Sequence, residues 1–180
     1  MSLNGILFYL IRAAAFAVPV TFAFCIVRCL ILKKKGQSEE KKKEIILAVF
    51  VFYLSSLIGI TAIRDGAHLF DWWSCAHSFD TVQLIPLVTT FRQAKNGVWA
   101  IVYPIVGNMI WFMPFGYFLC ALRSSCRLGN AVFSSFLLSV SIEIMQWILL
   151  SGISDIDDVI FNICGGVIGY TAFVLKERSK

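Results

Sequence analysis

Five stretches of this chain are long and apolar enough to cross a lipid bilayer: residues 13–32, 45–63, 98–122, 130–150 and 159–175, the first with a less regular lead-in from Leu3. A spanning helix needs roughly 20 mainly apolar residues. Outer-membrane strands are only about 10 residues long and alternate strictly, whereas these runs are continuous. The rest of the composition agrees. Of 180 residues, 58% are hydrophobic and 15% charged, where a soluble domain is about half apolar and about a quarter charged. A soluble fold of this size leaves too much surface in water to hide that excess, and a disordered chain needs low hydrophobicity. The expected fold class is all-α: a polytopic transmembrane helical bundle of about five spans. Residues 1–63 form two N-terminal helices with a basic loop between them, and residues 64–180 form a long loop and three further helices.

Charge placement orients the spans. The net charge is +5, but the basic residues cluster in one loop and at the chain end, which marks topology rather than a nucleic-acid face. The loop after span one holds Lys33, Lys34, Lys35, Lys41, Lys42 and Lys43; the loop after span three holds Arg123 and Arg127; the tail holds Lys176, Arg178 and Lys180. By the positive-inside rule these three belong in the cytoplasm. In the loop 64–97, Arg64, Arg92 and Lys95 are balanced by Asp65, Asp71 and Asp80, and the loop after span four is acidic; both belong outside. The N-terminus is therefore expected outside and the C-terminus inside. The strong charge follows the first apolar run instead of preceding it, so that run is expected to be a retained span and not a signal peptide. Arg12 and Arg28, near opposite ends of span one, are expected to snorkel to their own interfaces.

The loop 64–97 is rich in interfacial residue types: His68, Phe70, Trp72, Trp73, His77 and Phe79. Its stretch 82–88, broken by Pro86, is too short to cross and is expected to be interfacial or re-entrant. Cys25, Cys29, Cys120, Cys126 and Cys164 lie within or beside spans, where a cysteine is ordinarily a small hydrophobe; Cys75 alone lies in the outer loop. Cys120 and Cys126 are expected on the reducing side. Zinc-type ligand spacing such as C-x2-C is absent, and no metal or other cofactor is called for.

Polar residues inside spans are costly and point to function. They are Asn108 in span three, Glu143 and Gln146 in span four, and Asn162 in span five, with Asp155, Asp157 and Asp158 just before span five. Glu143 and Gln146 are spaced i, i+3, and Asp158 and Asn162 i, i+4, so each pair shares one helix face. In the expected orientation all seven gather in the outer half of the last three spans, which suits a ligand pocket open to the outside. Glu143 is the candidate catalytic group. Two other roles compete: Asn108, Gln146 and Asn162 also suit interhelical hydrogen bonding, and the aspartates also suit a helix N-cap or a solvated loop. Pro114 and Gly116, together with Gly107, are expected to interrupt and kink span three, the amide of Asn108 or a neighbour meeting the freed carbonyl. Gly165, Gly166 and Gly169 permit close helix contact, Gly165 and Gly169 as a small-xxx-small pair.

Two blocks carry a family resemblance. Gly107-Asn108-Met109-Ile110-Trp111-Phe112-Met113-Pro114-Phe115-Gly116 is one; the other runs from Glu143 to Tyr170 as E-x2-Q, then D-I-D-D-x3-N-x2-G-G-x2-G-Y. With the short Leu84-Ile85-Pro86, they resemble the VanZ-like family of membrane proteins, named for a teicoplanin-resistance protein, over roughly the C-terminal 100 residues. One departure stands out. Many family members have an arginine shortly before the acidic block, and here Ser151-Gly152-Ile153-Ser154 contains none.

The resemblance implies a multi-pass protein of the bacterial cytoplasmic membrane, linked to glycopeptide or lipoglycopeptide tolerance at the cell envelope. It supplies no reaction. Three functions are consistent with the residues. One is a non-enzymatic protein that binds a membrane lipid, a lipid-linked cell-wall precursor or a lipoglycopeptide in the outer pocket. Another is an intramembrane enzyme acting on a lipid-linked substrate, with Glu143 as general acid or base and the aspartates holding a cation such as Mg2+. The last is a small transporter or channel; five spans without an inverted repeat count against it, although a homo-oligomer is still able to form a pore.

Overall fold

The computed structural model describes residues 3–35, 41–63, 68–69, 71–74, 77–123 and 125–179, with the side chains of residues 3–10, 35 and 72 outside the description. Arg64, Asp65, Phe70, Cys75 and Lys180, and the side chain of Trp72, therefore lie outside the described residues. The chain divides into two compact units, Met1–Thr61 and Ala62–Lys180.

The first unit is a pair of helices, α1 (Leu3–Lys35) and α2 (Lys41–Thr61). Both present apolar side chains outward, among them Phe22, Leu30, Ile45 and Phe52, which in water would be prohibitive and in lipid is the expected surface. Small residues line the contact: Gly59 of α2 lies over the backbone of Ala13 and the ring of Phe16. Arg28 has a partner on the second helix. Because α1 continues to Lys35, Arg28 sits beside the first turn of α2, where its Nε and Nη2 donate to the Glu44 carboxylate at 3.1 and 2.9 Å.

The second unit holds three long helices, α4 (Val98–Ala121), α5 (Leu128–Ile148) and α6 (Ile156–Arg178), preceded by short 3-10 turns at Trp72–Ser74 and Phe79–Thr81, strand β1 (Val82–Gln83), helix α3 (Val88–Gln93) and a further 3-10 turn at Ala94–Asn96. The all-helical expectation holds, with one small addition: β1 pairs in parallel with the two-residue strand β2 (Ser154–Asp155), Val82 opposite Ser154 and Gln83 opposite Asp155. In all, five helices of the described residues are long and apolar enough to span a membrane.

Successive contacts give the helix directions. Along α4 and α6, Asn108 meets Asp158, Met113 meets Gly169 and Tyr117 meets Phe173, so these two run parallel. Along α5 and α6, Glu143 meets Asp155, Ser139 meets Asn162 and Ser135 meets Gly166, so these two run antiparallel. The α4–α6 contact is backbone on backbone. A Cβ at Gly165 or Gly169 would fall on the carbonyl of Met109 or Met113, and one at Gly116 on the carbonyl of Gly166. Only glycine permits that approach, and in lipid, where no hydrophobic drive separates helix from solvent, such close packing is what holds helices together.

Two expectations are corrected here. Span three is not interrupted: one helix runs from Val98 to Ala121 through Pro104 and Pro114, each of which removes one N–H donor without ending it, as helices packed in a membrane allow. Nor are all the cysteines beside spans simple hydrophobes. Cys120 and Cys126, expected on the reducing side and hence as thiols, instead form a disulfide across the α4–α5 turn. Taken one at a time they look like apolar filler, but the turn brings their Cα atoms to 5.1 Å, within bonding range. Cys25, Cys29 and Cys164 are free.

Candidate functional site

The polar residues of the second unit collect at one end, where α4 begins, α5 ends and α6 begins. The acidic block builds the start of α6. Asp155 is its N-cap, its side chain accepting from the backbone N–H of Asp157 at 2.9 Å, and Asp157 and Asp158 occupy the first turn, where carboxylates complement the helix dipole.

Each carboxylate then has a separate task. Asp157, 2% exposed, reaches away from its own helix and caps α3: its two oxygens accept from the N–H of Leu87, the N–H of Thr90 and the hydroxyl of Thr90, the last at 2.7 Å. The N-cap residue of α3 itself, Leu87, has no side-chain cap and sits at φ 65°, so Asp157 supplies the cap from another element. Asp158 accepts from the Nδ2 of Asn108 at 2.6 Å and ties α6 to α4. Deeper along α6, Asn162 donates to the Ser139 hydroxyl at 2.8 Å. Asn108→Ala removes a hydrogen bond to a carboxylate and is expected to cost about 2 kcal/mol. Thermal unfolding of the detergent-solubilised protein measures it.

Glu143 is buried in α5. Its Oε2 accepts from the N–H of Asp155 at 2.9 Å and its carbonyl accepts from the Ser154 hydroxyl at 2.7 Å. One residue therefore fastens β2 to α5 twice. Gln146, one turn further on, is also buried.

Beside Glu143 lies a cavity of about 330 Å³, lined by Val140, Glu143, Ile144 and Trp147 of α5, by Phe79, Val82, Gln83 and Leu84 on and beside β1, and by Ser154, Asp155, Ile156 and Val159 of β2 and α6. The α5 positions follow i, i+3, i+4, i+7, one helix face. Apart from Gln83, Glu143, Ser154 and Asp155, the walls are apolar. Of the seven residues grouped from the sequence, Glu143 and Asp155 line this cavity; Asn108, Asp157, Asp158 and Asn162 form the hydrogen bonds that hold its surroundings; and Gln146 is buried in α5 without lining it.

Sequence reasoning missed several of the partners. Thr90, Ser139 and Ser154 each satisfy one of the named residues, and Trp147 lines the cavity, stacked on Phe79 with ring centroids 5.5 Å apart. His77 is more than an interfacial ring: its Nε2 donates to the carbonyl of Ile148 at 2.9 Å, capping the C-terminal end of α5, while His68 pairs with Asp71 at 3.1 Å. A signal for one of these was present. Ser135, Ser139 and Glu143 recur every four residues in span four, a polar stripe on one helix face, and that stripe faces α6.

A family model described as VanZ/LLP1 matches residues 50–177. The chain belongs to the VanZ/LLP1 family. The match takes in the whole junction, from α3 to the end of the glycine seam. No curated protein and no solved structure matches the chain. As a VanZ/LLP1 member with five candidate spans it is a multi-pass membrane protein. Among the described residues no three His, Cys, Asp or Glu side chains are grouped to hold a metal ion; the three aspartates of the acidic block instead face three different partners.

Proposed function

We propose that this VanZ/LLP1 protein contributes to glycopeptide or lipoglycopeptide tolerance of the teicoplanin type by binding an amphiphile at the envelope face of the bacterial cytoplasmic membrane. The observation that carries this reading is the cavity: its walls are almost wholly apolar, of acyl-chain character, and Glu143 and Asp155 are among the few polar residues that line it. Ligand sites are usually apolar clefts with a few placed polar groups, and a lipid-linked wall precursor or a lipoglycopeptide has that division of tail and polar head.

The proposed orientation puts the N-terminus outside and the C-terminus inside, from the basic loops and tail. It brings the cavity to the outer surface, where such ligands reside. The alternative, an intramembrane enzyme using Glu143 as acid or base, draws on the same carboxyl group, but the neighbouring Asp155 carboxylate is engaged as the N-cap of α6. A small transporter has less support, since the cavity is a recess beside α5 and α6.

The test is susceptibility to teicoplanin and lipoglycopeptides in cells expressing the chain, against an empty vector. Raised tolerance at confirmed membrane expression is the expected result. Unchanged susceptibility to both drug types contradicts the role.

A further inference from the structure

The segment between the two units of secondary structure that flank it, β1 and α4, has an unusual combination of features. It is strongly apolar and exposed: Leu84 is 71%, Ile85 66% and Phe91 69% exposed. It carries two exposed cations, Arg92 and Lys95, three residues apart, on the turns adjoining Phe91. It is also not free to float. The Asp157 cap fixes the start of α3 to the first turn of α6, and β1 is paired to β2.

Its depth follows from its neighbours. Immediately after it, Trp99 and Tyr103 stand 81% and 72% exposed in the first turns of α4, spaced i, i+4 on one face. Tryptophan and tyrosine in that position mark the membrane–water boundary. α3 is held at the level of the first turn of α6 and joined to α4 through Gly97 at φ 99°, so it lies at the same boundary. A helix terminus there has lost bulk water as a partner, and an unsatisfied backbone N–H near hydrocarbon is costly. The Asp157 carboxylate removes that cost.

We propose that residues 82–96 form an interfacial foot on the membrane surface, with Leu84, Ile85 and Phe91 in the acyl-chain boundary, Arg92 and Lys95 on the phosphates of anionic lipids, and Asp157 holding the foot at that depth. The partner is an anionic phospholipid. Apolar side chains beside cations at a membrane surface suit that chemistry. The inference does not depend on what occupies the cavity.

The experiment places a benzoylphenylalanine photoprobe at position Phe91 of the full chain, reconstituted in vesicles of equal parts phosphatidylglycerol and phosphatidylethanolamine, and identifies adducts by mass spectrometry. The expected products carry one phospholipid, enriched in phosphatidylglycerol. Arg92→Ala and Lys95→Ala are each expected to lower that enrichment by up to about fivefold, the worth of one cation near an anionic surface. Asp157→Ala is expected to reduce lipid adducts at position 91. Asp157→Asn, which keeps one acceptor oxygen, is expected to retain more of them, and a second probe at Phe112, 1% exposed, reports folding by giving intraprotein products in every variant. Absence of lipid adducts at position 91 in the folded protein overturns the proposal. Equal capture of the two lipids overturns its electrostatic half.

Discussion

Gly169→Leu is expected to abolish the folded state of the second unit. At this position a Cβ would meet the backbone carbonyl of Met113 and the backbone N of Tyr117. Neither can turn aside as a flexible side chain would, so α4 and α6 must separate. Overpacking commonly costs 1–3 kcal/mol and occasionally more; with backbone on both sides and four added carbons, at least about 3 kcal/mol is expected here. Parting these helices also strains the Asn108–Asp158 hydrogen bond and the contact of Lys176 with the Tyr117 hydroxyl, 2.6 Å. The control is Gly107→Leu on α4, where nothing lies within 4 Å. Fluorescence-detected size-exclusion chromatography after heating should show Gly169→Leu aggregated and Gly107→Leu close to wild type. Equal behaviour of the two would remove the glycine seam as the basis of the α4–α6 contact.

The second large effect is functional. Glu143→Ala is expected to abolish any tolerance conferred by the protein while leaving membrane insertion intact, since insertion is driven by the apolar spans. The alanine variant also leaves the buried N–H of Asp155 without an acceptor, a cost of about 1–3 kcal/mol. Glu143→Gln separates the two consequences. Its amide oxygen can still accept from Asp155, so its stability should remain within about 1 kcal/mol of wild type, while the ionisable group among the cavity-lining residues is gone. Loss of tolerance in both variants, with a stable glutamine variant, assigns the effect to the carboxyl group. Full tolerance in Glu143→Gln would make Glu143 a fastener of β2 alone.

The spans were legible because each is a long run of one property. Hydropathy places α2, α4, α5 and α6 to within a few residues of their ends. α1 starts earlier because its lead-in from Leu3, although irregular, is still helix-forming. The glycine contacts were legible as a spacing, but their register against Met109 and Met113 depends on how two helices meet, which no local pattern states. The acidic block shows the limit most clearly. Asp155, Asp157 and Asp158 look equivalent in sequence, as three carboxylates before an apolar run. In the fold one caps its own helix, one caps α3, and one holds Asn108. Their division of labour is set by Leu87 and Thr90, about 70 residues away along the chain. The β1–β2 pair and the Cys120–Cys126 disulfide were hidden for the same reason: each is a contact between segments that carry no signal singly.

The claim at the centre of this account is that the recess between α5, the start of α6 and β1 holds an amphiphile. The most direct measurement is an experimental structure of the full chain in nanodiscs drawn from its native membrane, with endogenous lipid retained. The expected result is elongated density along Val140, Ile144 and Trp147, with its polar end at Glu143 and Asp155. A recess empty of lipid, or closed by inward packing of Phe79 and Trp147, would contradict it.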